Sequence, residues 1–197
     1  MKIKTKFGDI EIESILIIVI ITSLISNTLF KFLYYFFACY LFISFHELMH
    51  ITIGSIFGKN LIRIKLSISG VCAIFEKNNN IKKENIKNIL IYLAGPISNF
   101  ILALVFRNRN MIRDINIFLG LLNLIPIYPL DGYNILFNLL ELLKLKKVKI
   151  IINNISKVFL IILSLISIVL MIKYYSFSLI IFTIYLFVIK NNSKKLY

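Results

Sequence analysis

From Phe32 to Phe57 the chain runs for 26 residues with a single charge, that of Glu47. As a helix rising 1.5 Å per residue this stretch is about 39 Å long, enough to cross a bilayer. Within it lies His46-Glu47-Leu48-Met49-His50, which holds both histidines of the chain. Residues at i and i+4 lie on one helical face, so the two imidazoles point the same way. Polar and ionisable groups at membrane depth are costly and seldom kept without a function.

The spacing has a specific chemistry. Two neutral imidazoles one turn apart suit a single zinc ion per chain, and the glutamate between them can take a proton from water. A tetrahedral site that keeps one position open needs a third protein ligand. Asp131 is the only carboxylate of the segment Asn123-Leu124-Ile125-Pro126-Ile127-Tyr128-Pro129-Leu130-Asp131-Gly132 and is the candidate. The alternative makes Asp131 a turn residue ahead of Gly132. Pro126 and Pro129 exclude a regular helix here, and broken backbone at membrane depth must be satisfied by protein or by a water-filled cavity.

Hydrophobic residues make up 59% of the 197, more than a soluble domain of this size needs. Six apolar stretches are candidate spans: 14–30, 32–57, 88–106, 115–130, 150–172 and 175–189. The fourth and sixth are short for a full crossing. The fold class expected is a mainly α, polytopic membrane protein of six helices in a single domain, 1–197. Acidic residues precede the first stretch and no small-residue cleavage site follows it, so it reads as a span and not a cleavable signal.

The net charge of +14 would suit a nucleic-acid partner, but its distribution argues against one. Lys and Arg number three before Ser14, seven in 59–87, four in 144–149 and three from Lys190 onward, 17 on one side of the membrane. The alternate loops carry 5 in all, and Lys157 lies inside a span. The positive-inside rule places both termini in the cytoplasm, with basic loops facing anionic lipid. His46 then lies deep in the bilayer, somewhat toward the cytoplasm. Cys39 and Cys72 are too few and too far apart for a disulfide framework or a thiolate metal site.

Gly54 and Gly58 follow the motif at a spacing that lets a neighbouring helix approach, and Gly58 also suits a helix cap. From Leu61 to Glu76, apolar and polar residues alternate before Gly70, which predicts a β-hairpin at the cytoplasmic membrane surface. Such a hairpin covers the helices beneath it or offers an edge to an extended peptide. The next span contains Ala94-Gly95-Pro96-Ile97-Ser98-Asn99, where Gly95 and Pro96 predict a kink or close packing. Asn99 and Asn123 are polar groups at membrane depth, suited to hydrogen-bonding between helices or to a catalytic site.

HELMH in one apolar helix, AGPISN in the next and NLIPIYPLDG in the one after resemble the site-2 proteases, intramembrane zinc metalloproteases. With no PDZ insertion and a strand pair after the second span, the chain looks like the short stage IV sporulation protease branch. The resemblance covers about Phe32 to Gly132. It implies zinc ligands His46, His50 and Asp131, a catalytic general base and acid in Glu47, and a catalytic core of about 32–132. The implied partners are the lipid bilayer, membrane-bound regulators and a membrane-tethered protein substrate, in sporulation a sigma-factor pro-sequence. Two features depart from the family. Asp131-Gly132-Tyr133-Asn134 replaces the usual Asp-Gly-Gly-Arg, and the chain stops at Tyr197, so a C-terminal nucleotide-sensing CBS domain is expected to be absent.

The mechanism these residues imply is zinc-assisted peptide hydrolysis, with Asn123, and second Asn99, as donor to the developing oxyanion. A membrane zinc protease with a glutamate third ligand would have to use Glu141, which lacks a partner motif. A catalytically inactive scaffold that binds a client is the reading from another class, and the intact Glu47 argues against it. Nothing suggests the duplicated halves of a transporter.

Overall fold

The computed structural model describes residues 2–5, 8–12, 30–59, 61–67, 70–75, 81–174 and 178–193. The expected first span, 14–30, lies almost wholly outside these residues. The described elements are β1 (Lys2–Thr5), β2 (Gly8–Ile12), α1 (Phe30–Ile56), β3 (Leu61–Ser67), β4 (Gly70–Phe75), α2 (Ile81–Val105), α3 (Asn110–Asn123), α4 (Asp131–Leu142), α5 (Val148–Tyr174) and α6 (Ser178–Ser193). They fall into two compact units, Met1–Leu121 and Leu122–Tyr197.

In the first unit α1 and α2 pack against each other, and β3 and β4 lie against α1. The strands form one sheet in the order β1-β2-β3-β4, with β2 and β3 parallel and the other pairs antiparallel. A register shift between Leu61 and Arg63 interrupts the β3–β4 ladder. Helix α1 ends in a Schellman cap: Gly58 donates to the carbonyl of Ser55 at 2.9 Å and Lys59 to that of Gly54 at 2.9 Å. Gly58 takes the left-handed φ of 72° that this cap requires. Among the described residues nothing comes within 4 Å of the position a Cβ would take there, so the cap is the role these residues give Gly58.

Lysines close the same end of the helix pair. Lys59 Nζ donates to Asn88 Oδ1 at 2.5 Å and lies 3.9 Å from Glu84 on α2. Lys87 Nζ reaches the carbonyl of Phe57 at 3.3 Å. Positive charge at a helix C-terminus is favourable, and here it also ties the end of α1 to the start of α2. Helix α2 runs through Pro96, whose ring removes the donor that would have served the carbonyl of Tyr92. Gly120 of α3 stands against the ring of Phe100, where a Cβ would come within 2.9 Å of Cε1 and Cζ.

The second unit is organised around the proline segment. The helical pattern stops at Asn123 and resumes at Asp131, so the apolar stretch 115–130 is not one continuous helix. Pro126 and Pro129 are the reason, since neither supplies a helix N–H. Short-range bonds satisfy part of this backbone: Ile127 donates to Ile125 and Leu130 to Ile127, each at 2.8 Å. The fully buried Ser156 of α5 donates its hydroxyl to the carbonyl of Pro126 at 2.6 Å. Ile127, Leu130, Leu160 and Leu186 form the buried cluster that packs α5 and α6 against this connection.

Among the described residues three helices are long and apolar enough to cross a membrane, within 37–56, 84–105 and 148–173, and Leu179–Asn191 is a shorter apolar helix. Their outward residues include Leu41, Leu104, Ile161, Val169 and Ile184, all exposed. Large apolar side chains facing outward on such helices are stable where the surroundings are lipid.

Gly132 stands against the carbonyl of Leu124, where a Cβ would collide with backbone that cannot move aside. Gly132→Ala is expected to cost about 1–3 kcal/mol or more through overpacking. Thermal denaturation of the purified protein in detergent checks this; an unchanged midpoint would contradict it.

Candidate metal centre

His46 and His50 are 3% and 5% exposed, buried where α1 meets α2. Their ring centroids are 4.8 Å apart with planes at 84°, and the two Nε2 atoms stand 3.1 Å apart. The partner of His50 settles its protonation. Its Nδ1 lies 2.6 Å from the carbonyl oxygen of Ile91, which can only accept, so Nδ1 carries the proton and Nε2 keeps its lone pair. That is the tautomer a metal ligand needs, oriented by its second nitrogen.

Helix α2 serves the pair with one residue per turn. Ile91 holds His50 by its carbonyl, Gly95 faces both rings, and the Asn99 amide lies 3.2 Å from His46 Nδ1. A Cβ at position 95 would collide with Nε2 and Cε1 of His46 and with Nε2 of His50. Gly95 is thus a glycine because the space before its backbone belongs to the imidazole nitrogens. The Ser98 hydroxyl bonds back to the Gly95 carbonyl at 2.7 Å within the helix. Tyr92 packs edge-on to His50 with centroids 6.3 Å apart.

These nitrogens fit zinc. Two ligands about 2.0–2.1 Å from one tetrahedral ion stand roughly 3.3–3.4 Å apart, close to the 3.1 Å seen between the Nε2 atoms. His46 and His50 supply two imidazoles in the first unit, and Asp131 is a carboxylate of the second. Asp131 is half-buried in the first turn of α4, where the helix dipole favours a negative charge. Glu47 is half-buried next to His46 on α1.

Asn99 is fully buried on α2, against His46. Asn123 is half-buried as the last residue of α3. Glu141 is half-buried near the end of α4, and Cys39, a free thiol on α1, is half-buried. The contributions of Ile91 and Gly95 were not foreseen from sequence. The first is a backbone carbonyl, which no residue type announces; the second carried a signal, the glycine of AGPISN, that suggests packing in general and not a particular neighbour.

Buried imidazoles with their metal-binding edges turned together inside apolar helices define a membrane-embedded metalloprotein. The sequence model of peptidase family M50 matches residues 110–167. A zinc metalloprotease of Methanocaldococcus jannaschii is 31% identical over 135 residues, which cover 61% of this chain and 38% of that protein. This chain thus spans well under half the length of that relative. The solved structure of a site-2 protease from the same organism superposes with a TM-score of 0.64 at 25% identity, over 94% of this chain and 91% of that one. Residues 110–167 thus match peptidase family M50, and the fold is similar to that of a site-2 protease.

Gly95→Ala fills the space in front of both Nε2 atoms. Zinc per folded chain, measured by elemental analysis of the purified protein, is expected to fall well below one; full occupancy would contradict the assignment.

Proposed function

We propose that the protein is an intramembrane zinc metalloprotease that hydrolyses a peptide bond of a membrane-spanning or membrane-associated protein. The observation that carries this reading is the buried histidine pair, its Nε2 atoms 3.1 Å apart beside Glu47 in a helix apolar enough to span. The relatedness to a zinc metalloprotease and to a site-2 protease supports it.

In this reading His46, His50 and Asp131 hold one zinc ion. Zinc supplies Lewis acidity, which makes water acidic enough to attack near neutral pH and polarises the scissile carbonyl. Glu47 takes the proton of the attacking water and delivers it to the leaving amine. Asn123 donates to the developing oxyanion, since the amide of Asn99 is already directed at His46 Nδ1. A helical substrate must unwind to expose its peptide bond. Strand β4, at the end of the sheet order, offers a place to hold the unwound segment by strand addition.

Six spans with both termini in the cytoplasm, and one protease domain over the whole chain, complete the proposal. The loop charges support that orientation. The substrate class suggested by the short-branch resemblance is a membrane-associated pro-sequence, such as that of a sporulation sigma factor, with membrane-bound regulators as further partners.

Co-expression with a membrane-tethered precursor tests the reading. Glu47→Gln is expected to keep zinc and abolish processing, whereas Asp131→Ala lowers both; undiminished processing by Glu47→Gln would sink the assignment. Asn123→Ala is expected to cut turnover by about 10²–10³-fold with zinc content unchanged. Wild-type turnover in that variant would leave Asn123 with a purely structural role.

A further inference from the structure

The two histidines are held differently. His50 Nδ1 meets a backbone carbonyl, which only accepts, so its tautomer is fixed. His46 Nδ1 meets a side-chain amide, which offers a donor and an acceptor at nearly the same place. Asn99 is fully buried, and with its NH2 group toward His46 its Oδ1 has no hydrogen-bond partner among the described residues. A buried carbonyl left in that state is costly.

The orientation of that amide decides what His46 can do. With the NH2 group donating to Nδ1, His46 carries its proton on Nε2, where it points at the lone pair of His50 Nε2 3.1 Å away. His46 then has no lone pair to give on the shared edge. Rotating the amide about its last torsion brings Oδ1 onto Nδ1, places the proton there and frees Nε2. The oxygen gains a partner in the same motion, and the NH2 group takes its former place. No backbone movement is needed, because the amide is close to isosteric with its flipped form.

We propose that Asn99 is a positioning residue that accepts from His46 Nδ1–H and so sets the tautomer that makes His46 a zinc ligand. The inference rests on the zinc reading above. A carboxylate at position 99 could serve only the zinc-binding tautomer, and an aliphatic side chain could serve neither. Residues in this outer position are typically worth about 10- to 100-fold in metal affinity.

Because the chain has only two histidines, ¹⁵N-histidine labelling of the full protein in detergent gives four ring-nitrogen signals, and zinc ion alone is the probe. In the wild type, zinc is expected to shift Nε2 of both residues and to leave the His46 proton on Nδ1. Zinc affinity is expected to fall about 10- to 100-fold in Asn99→Leu and to stay within a few-fold of wild type in Asn99→Asp. A merely structural Asn99 would make the buried carboxylate at least as damaging as leucine, so equal losses in the two variants overturn the proposal. So does a His46 proton on Nε2 in the zinc-loaded wild type, a result that needs no variant. If zinc shifts neither histidine, the zinc reading itself fails and the proposal with it; if zinc binds through both Nε2 atoms but Asn99→Leu binds as tightly, only the proposal fails.

Discussion

The contact between α1 and α2 is where this structure meets its hardest physical demand. Two imidazoles are buried among apolar side chains, and each brings two ring nitrogens that must be satisfied without bulk water. The solution uses both faces of each ring. The Nδ1 atoms are met by the carbonyl of Ile91 and the amide of Asn99, and the Nε2 atoms are turned toward each other in front of Gly95. Residues 91, 95 and 99 are one turn apart on α2, so a single helical face serves the whole pair. The lysine contacts that join the end of α1 to the start of α2 hold those turns in register.

The second unit meets the same demand by other means. Two prolines prevent the backbone between Asn123 and Asp131 from bonding to itself as a helix, so its polar groups need local turns and side chains from neighbours. Ser156 supplies one such bond, and the Ile127, Leu130, Leu160 and Leu186 cluster shields the segment. Gly132 keeps the next helix close against the carbonyl of Leu124. The outcome is a helix that begins at Asp131, where the carboxylate is favoured by the helix dipole.

Much of this was legible in the sequence, and what was not has physical reasons. HELMH announced a metal because i and i+4 histidines can only share a face. The alternation from Leu61 and the proline pair at 126 and 129 forecast a change of backbone. Helix ends were less legible: Pro126 and Pro129 announced a broken backbone, but not that one helix stops at Asn123 and the next starts at Asp131. Asn99 was recognised as polar at depth, but its partner depends on how two helices pack, and residue type alone does not encode that. Gly95 was legible as a site of close approach, while the identity of what approaches came only with the folded chain.

The central claim is that both histidines present Nε2 to one zinc ion held within the membrane helices. X-ray absorption at the zinc edge of the purified full-length chain tests it directly. The expected first shell holds two imidazole nitrogens and oxygen donors at about 2.0–2.1 Å, with no sulfur near about 2.3 Å. A protein that retains no zinc after gentle purification, or a shell with fewer than two imidazoles, would contradict the account.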